Sequence, residues 1–168
     1  FIEFDKMPEV YNPPEGYIVT ANTNPAEWMK DSKEKYYISY LWEPSSRFNS
    51  ISKFINSRTV FDIEDFKLLQ NSYESPYAIR ILKDLYSDAH TNSNLGDEDV
   101  EWAVEKLKNW NGDMIKNDNA GLLYNAYLVF LVKNTFEDEL GANIFNDFIA
   151  IQNIPYRSLE ILMKQPDN

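Results

Sequence analysis

Cysteine is absent from this chain. That absence excludes disulfides, thiolate nucleophiles and Cys-ligated zinc, and it leaves the compartment open. Histidine occurs once, at His90, so a Ser-His-Asp arrangement would have to be built on one residue of a polar loop. A solvated loop histidine is the plainer reading. Long apolar runs are missing too. The best stretch, 122–132, is broken by Tyr124 and Asn125 and falls short of the roughly 18 apolar residues that a membrane span needs. Basic residues are few: 16 Lys and Arg stand against 27 Asp and Glu, for a net charge of −11. They are scattered singly among acids, so the chain repels a phosphate backbone and nucleic acid is excluded as a partner. The opening residues, Phe1 to Asp5, carry neither an initiator Met nor the basic and apolar regions of a signal peptide. The expectation is a start cut inside a longer protein.

What is present suits one packed core. The 168 residues are 43% hydrophobic and 15% aromatic, which fits a single folded domain rather than disorder. Two textures divide the chain. Up to residue 44 it holds Pro8, Pro13, Pro14, Pro25 and Pro44, many aromatics, and a β-branched run at 17–21 that reads as a short strand. Pro13-Pro14-Glu15-Gly16 before it is turn chemistry. A loop should begin at Asn22.

After Pro44 the apolar spacing becomes helical. Ser45 or Ser46 can cap a helix bearing Phe48, Ile51, Phe54 and Ile55 and ending near Arg58. Asp62 with Asp65 forms a variant capping box for a second helix carrying Phe66, Leu68 and Leu69. A third, 77–86, should bury Ile81, Leu82 and Leu85. The stretch 89–96 reads as a polar loop, and Asp97 caps a helix with Val100, Ala103, Val104 and Leu107. A helix over 120–133 is apolar nearly all round, so a central position is expected. Further helices are expected over 136–148 and 158–164. No internal repeat or low-complexity tract is visible.

A self-contained catalytic set does not emerge from the residues alone. Asp97, Glu98 and Asp99 could hold a cation, but three acids in a first helical turn mainly complement the helix dipole. Asp113, Asn117, Asp118 and Asn119 offer oxygen ligands at a spacing that does not match an EF-hand loop. Trp28, Tyr36, Tyr37, Tyr40 and Trp42 could wall an apolar ligand pocket or simply pack a core. Asn22 could be an ordinary strand-ending asparagine, and Arg47 a surface ion-pair partner.

Several separated motifs, in one order, resemble the penicillin acylase family. Phe4-Asp5-Lys6-Met7-Pro8-Glu9-Val10-Tyr11-Asn12-Pro13-Pro14-Glu15-Gly16-Tyr17-Ile18-Val19-Thr20-Ala21-Asn22 looks like the family's run into its oxyanion asparagine. Leu41-Trp42-Glu43-Pro44-Ser45-Ser46-Arg47 is similar to its tryptophan-to-arginine segment. Phe66 to Ala78, with Gln70 and Ser75, resembles a helical motif, with Ser72 where an acid is usual. Trp110-Asn111-Gly112-Asp113-Met114, then Asp118-Asn119-Ala120, looks like the Trp-Asp-Gly loop, with Asn111 in place of the common Asp. Together these cover roughly 4–132.

The resemblance implies an N-terminal-nucleophile hydrolase, in which a Ser exposed by self-cleavage attacks an amide and its own α-amine serves as base. Phe1 is neither, so this chain implies an internal fragment of the large chain, inactive alone. Asn22 would donate its side-chain amide to the oxyanion, and Arg47 would orient Asn22 or meet the substrate. The implied fold is mainly α, a helical subdomain with a minor β element, as a fragment of an αββα hydrolase fold. Residues 1–44 would belong to the sandwich and 45–168 to the helical subdomain. The substrate class implied is an acylated small molecule, with a penicillin-type side chain or an N-acyl homoserine lactone. Its partners would be the small chain and nucleophile-bearing portion of the parent, which would be periplasmic or secreted. No cofactor is expected; calcium belongs to the parent, and the position nearest its ligand here is Tyr36. The competing expectation is a non-catalytic helical binding or scaffolding module, with a standalone helical domain binding ligand through its aromatic cluster as a third.

Overall fold

A computed structural model describes residues 2–25, 38–39, 42–87, 96–151 and 153–164. A 3-10 turn, Phe4–Lys6, opens the chain. Six α-helices follow among the described residues: α1 Ser46–Asn56, α2 Ile63–Gln70, α3 Pro76–Ser87, α4 Glu98–Lys108, α5 Asn119–Ala150 and α6 Asn153–Met163. The fold is mainly α.

The helix ends form where short-range chemistry puts them. Asp62 and Asp65 make a reciprocal capping box, each carboxylate accepting from the other's backbone N–H at 3.0 Å, which satisfies two otherwise unpaired donors at the start of α2. Asp97 Oδ1 accepts from the N–H groups of Asp99 and Val100 at the start of α4. Ser45 sits at the cap of α1 but makes no side-chain capping bond there. The segment 66–78 is not one helix. Its chain breaks after Gln70, and α3 begins again with Ser75 Oγ accepting from Ala78 N–H and Pro76 in the first turn, where a missing N–H has no consequence.

That break carries a β element, although not the expected one. Glu74 and Asp113 form an isolated antiparallel bridge, with Ser75 N–H donating to Gly112 O and Met114 N–H to Tyr73 O. Gly112 is required there: its φ is +88°, and a Cβ would meet Ile79 Cδ1 at 2.8 Å. By contrast, 17–21 is extended without forming a strand. Its side chains alternate as a strand's would, with Val19 and Ala21 buried and Ile18 half exposed. The ladder is missing because no other strand among the described residues lies beside it. The segment leans on α1 instead, where Asn56 Nδ2 donates to Tyr17 Oη at 2.7 Å.

The core is built by α3, α4, α5 and α6. Tyr77, Ala78, Ile81 and Leu82 of α3 meet Leu107, Tyr124, Leu128, Val132, Phe145 and Leu159. Helix α5 packs on both α4 and α6. The two helices expected over 120–133 and 136–148 run as one element, bent at Gly141, whose φ of 71° and ψ of 153° are not helical. The bend brings Phe136 and Phe148 to a centroid separation of 5.0 Å. Nor is 120–133 buried all round. Tyr124, Leu128 and Val132 face the core, whereas Leu122, Val129 and Phe130 are exposed on the other side, because only one face of the helix meets α4 and α6. Helix α6 starts at Asn153, five residues earlier than expected, since Pro155 is tolerated in a first turn. No helix among the described residues is long and apolar enough to cross a membrane.

Candidate functional site

Asn22 ends the extended segment with a backbone φ of +55°, a left-handed conformation that asparagine tolerates better than most residues. Buried Val19 and Ala21 anchor the chain just before it, and the Asn22 side chain is exposed. Arg47 lies in the first turn of α1. Its Nη2 donates to Asn22 Oδ1 at 2.5 Å and to Glu43 Oε2 at 2.7 Å, and its Nε donates to the same Glu43 oxygen at 3.0 Å. Two donors on one carboxylate fix the guanidinium plane, as a planar fork allows and an ammonium would not.

The orientation of the Asn22 carboxamide follows from that contact. A guanidinium has no acceptor, so the atom facing it must be the carbonyl oxygen. The Nδ2 amide is then the end left to donate. Withdrawal of electron density by the cation makes that amide a better donor. The arrangement can therefore offer a neutral, fixed N–H to an oxygen that gains negative charge, and it requires no protonation change to do so.

The sequence singles out Asn22 and Arg47, and the structure brings them together across 25 positions. It did not single out Glu43, which stands four residues before Arg47 and within a motif that resembles the family's. The i, i+4 spacing was the available signal, weakened because Glu43 precedes the helix.

The remaining candidates are occupied by local structure. Asp97 caps α4, with Glu98 and Asp99 beside it in the first turn. Asp118 caps α5 through Ala120 N–H and meets Lys106 Nζ at 3.4 Å. The Ala120 N–H, and then Lys106, hold its carboxyl below the usual range. Asn111 Oδ1 accepts from Asp113 N–H, its Nδ2 donates to Asp113 Oδ2, and Trp110 Nε1 donates to Asp113 O. The loop resembling Trp-Asp-Gly is thus a self-bonded turn in which Asn111 accepts as an aspartate would and, unlike an aspartate, also donates to Asp113. Among the described residues no three His, Asp or Glu side chains converge to hold a metal ion. His90, Trp28, Tyr36, Tyr37 and Tyr40 lie outside the described residues.

The C-terminal residues, which contribute little to the motifs, are tied to this end of the molecule. Arg157 Nη1 donates to Trp42 O at 2.8 Å, and Tyr77 Oη donates to Tyr156 O at 2.9 Å. The likeness to known proteins extends equally far. The family model for penicillin amidase matches residues 1–168, beyond the stretch that the separate motifs cover, and the chain belongs to the penicillin amidase family.

Proposed function

We propose that this chain is part of an amidohydrolase that cleaves the amide bond of an acylated small molecule, and that Asn22 supplies a side-chain donor of its oxyanion hole. The observation that carries the reading is the 2.5 Å contact from Arg47 Nη2 to Asn22 Oδ1, which leaves the Nδ2 end as the donor. Membership of the penicillin amidase family supports the amide bond as target. Arg47 is then a positioning residue, and Glu43 holds Arg47.

In this reading the nucleophile and its base belong to the remaining parts of the parent protein. The nucleophilic oxygen bonds to the amide carbon, and the carbonyl oxygen takes the electron pair and is met by Asn22 Nδ2. Collapse then breaks the C–N bond, and the amine leaves with the proton that the base removed from the nucleophile. Water, giving a proton to the base, next attacks the acyl carbon. The bond to the nucleophile breaks, the nucleophile takes that proton back and the acid leaves. Residues 1–44 carry the donor as the part belonging to the hydrolase sandwich, and 45–168 form the helical subdomain that holds Arg47. The substrate is a penicillin-type side-chain amide or an N-acyl homoserine lactone, and the parent works in the periplasm or outside the cell, in line with its family.

The test is Asn22→Ala in the full-length protein, with amide hydrolysis as the assay. Loss of one oxyanion donor lowers kcat by about 10²- to 10³-fold, and alanine at a φ of +55° costs about 1 kcal/mol of stability, so turnover is compared on folded protein. Unchanged turnover would sink the assignment and favour the non-catalytic binding module.

A further inference from the structure

A polar cavity of about 390 Å³ lies between α3, α6 and the segment before α1, lined by Glu43, Asn49, Arg80, Arg157, Glu160 and Lys164 among others. Its charge is unusual for this molecule. The chain as a whole carries −11, yet three cations meet here. Glu43, the first of the two acids, already accepts from Arg47 through Oε2. The second, Glu160, serves two cations with one oxygen: Arg80 Nε lies 3.3 Å and Lys164 Nζ 3.2 Å from Oε1. Arg157 gives Nη1 to a neutral carbonyl, Trp42 O, and enters no ion pair among the described residues. Arg80 Nη1 is buried without a hydrogen-bond partner, a state that is costly for a charged group.

We propose that this cavity is a binding site for the carboxylate of a small organic acid, held by Arg157, Arg80 and Lys164. Two guanidinium groups match a planar carboxylate better than a point charge would. The volume is that of a small-molecule site rather than of a bare ion, and Pro44, Trp42 and Ile161 add apolar wall for the organic body. An inorganic anion would meet the charge and leave that wall unused. Glu43 is shared with the Arg47–Asn22 pair, so the acid binds beside the proposed oxyanion donor. The three cations come from α3, from α6 and from Lys164 just after it, so the binding does not depend on the amide-hydrolysis reading.

Calorimetric titration of the full-length protein tests it, with benzoate as probe, neutral benzamide as its isostere and inorganic phosphate as the alternative anion. Benzoate saturates, benzamide and phosphate bind at least about tenfold more weakly, and benzoate affinity falls as salt rises. Arg157→Gln weakens benzoate about tenfold, the scale of one charge-assisted contact. Lys164→Gln, an exposed change at the end of α6, weakens it about threefold. Glu160→Gln tightens it, because both cations that it neutralises are released. Opposite signs within one site do not arise from a damaged fold. Equal binding of benzoate and benzamide, phosphate binding as tight as benzoate, weaker binding by Glu160→Gln, or no benzoate binding would each overturn the proposal. None of these results depends on hydrolysis, so failure here and failure of the oxyanion role remain distinct.

Discussion

The extended segment up to Asn22 and the helical cluster of α3 to α6 follow different rules. The cluster closes on itself: Ala78 and Ile81 are fully buried, and Tyr124 is 1% exposed. One apolar face of each of its helices meets the others within this chain, while Leu122, Val129 and Phe130 on the far side of α5 stay exposed. The extended segment has a strand's alternation but no ladder beside it. Its placement depends on two buried side chains, Val19 and Ala21, and on a few side-chain bonds, Asn56 to Tyr17 and Arg47 to Asn22. Stability therefore resides in one region and the proposed chemistry in the other. A site at the end of an extended segment is positioned by a few polar contacts at the surface, whereas the core tolerates little change.

The sharpest break of that comparison is Ile81→Ala. Ile81 is 0% exposed in the middle of α3, and removing its side chain costs about 2–5 kcal/mol, read by chemical denaturation. A loss under 1 kcal/mol would mean that the helical cluster is not the stability centre. Next comes Arg47→Ala, with amide turnover as the readout. Freed from the guanidinium, Asn22 can flip its amide, and kcat falls about tenfold, the order of one charge-assisted hydrogen bond. Stability changes by under about 0.5 kcal/mol, because the pair is exposed. Arg47→Lys restores little of the rate, since an ammonium holds no plane.

Asp62→Ala removes half of the capping box on α2 and costs about 1 kcal/mol, without touching turnover. The smallest effect is in Asp118. Its folded pKa lies below the unfolded value, chiefly through the Ala120 N–H and then Lys106. The stabilisation is therefore present above the unfolded carboxylate pKa and is lost as pH falls through the folded one. Asp118→Asn should flatten the acid limb of a denaturation profile and leave the neutral range little changed. A wild-type acid limb that survives the substitution would assign it to other carboxylates.

Much of the helical region is legible from residues a few positions apart. Asp62 with Asp65, Asp97, and the 77–86 periodicity place three helices within a residue or so of where they lie. The bent α5 is harder. Gly141 could as well have ended a helix, and it is tertiary packing, Phe136 on Phe148 across the bend and Phe145 in the core, that holds the second half folded back. The strand reading of 17–21 follows its alternation correctly, but hydrogen-bonded pairing requires a neighbour, and alternation alone does not provide one.

What the sequence determined by itself was local: helix caps, apolar spacing, the turn at Pro13 to Gly16, and the motif order that marks the family. The resemblance pointed Arg47 at Asn22 or at the substrate, and the tertiary structure brings it to Asn22; tertiary structure alone decided that Glu43 fixes Arg47 and that Arg80, Arg157 and Lys164 surround one cavity. The physical reason is range. Caps and periodicity act within a turn or two of helix, so spacing reveals them. A pair such as 22 with 47, or a cavity lined by 80 and 157, exists only after the core has fixed where each helix face points.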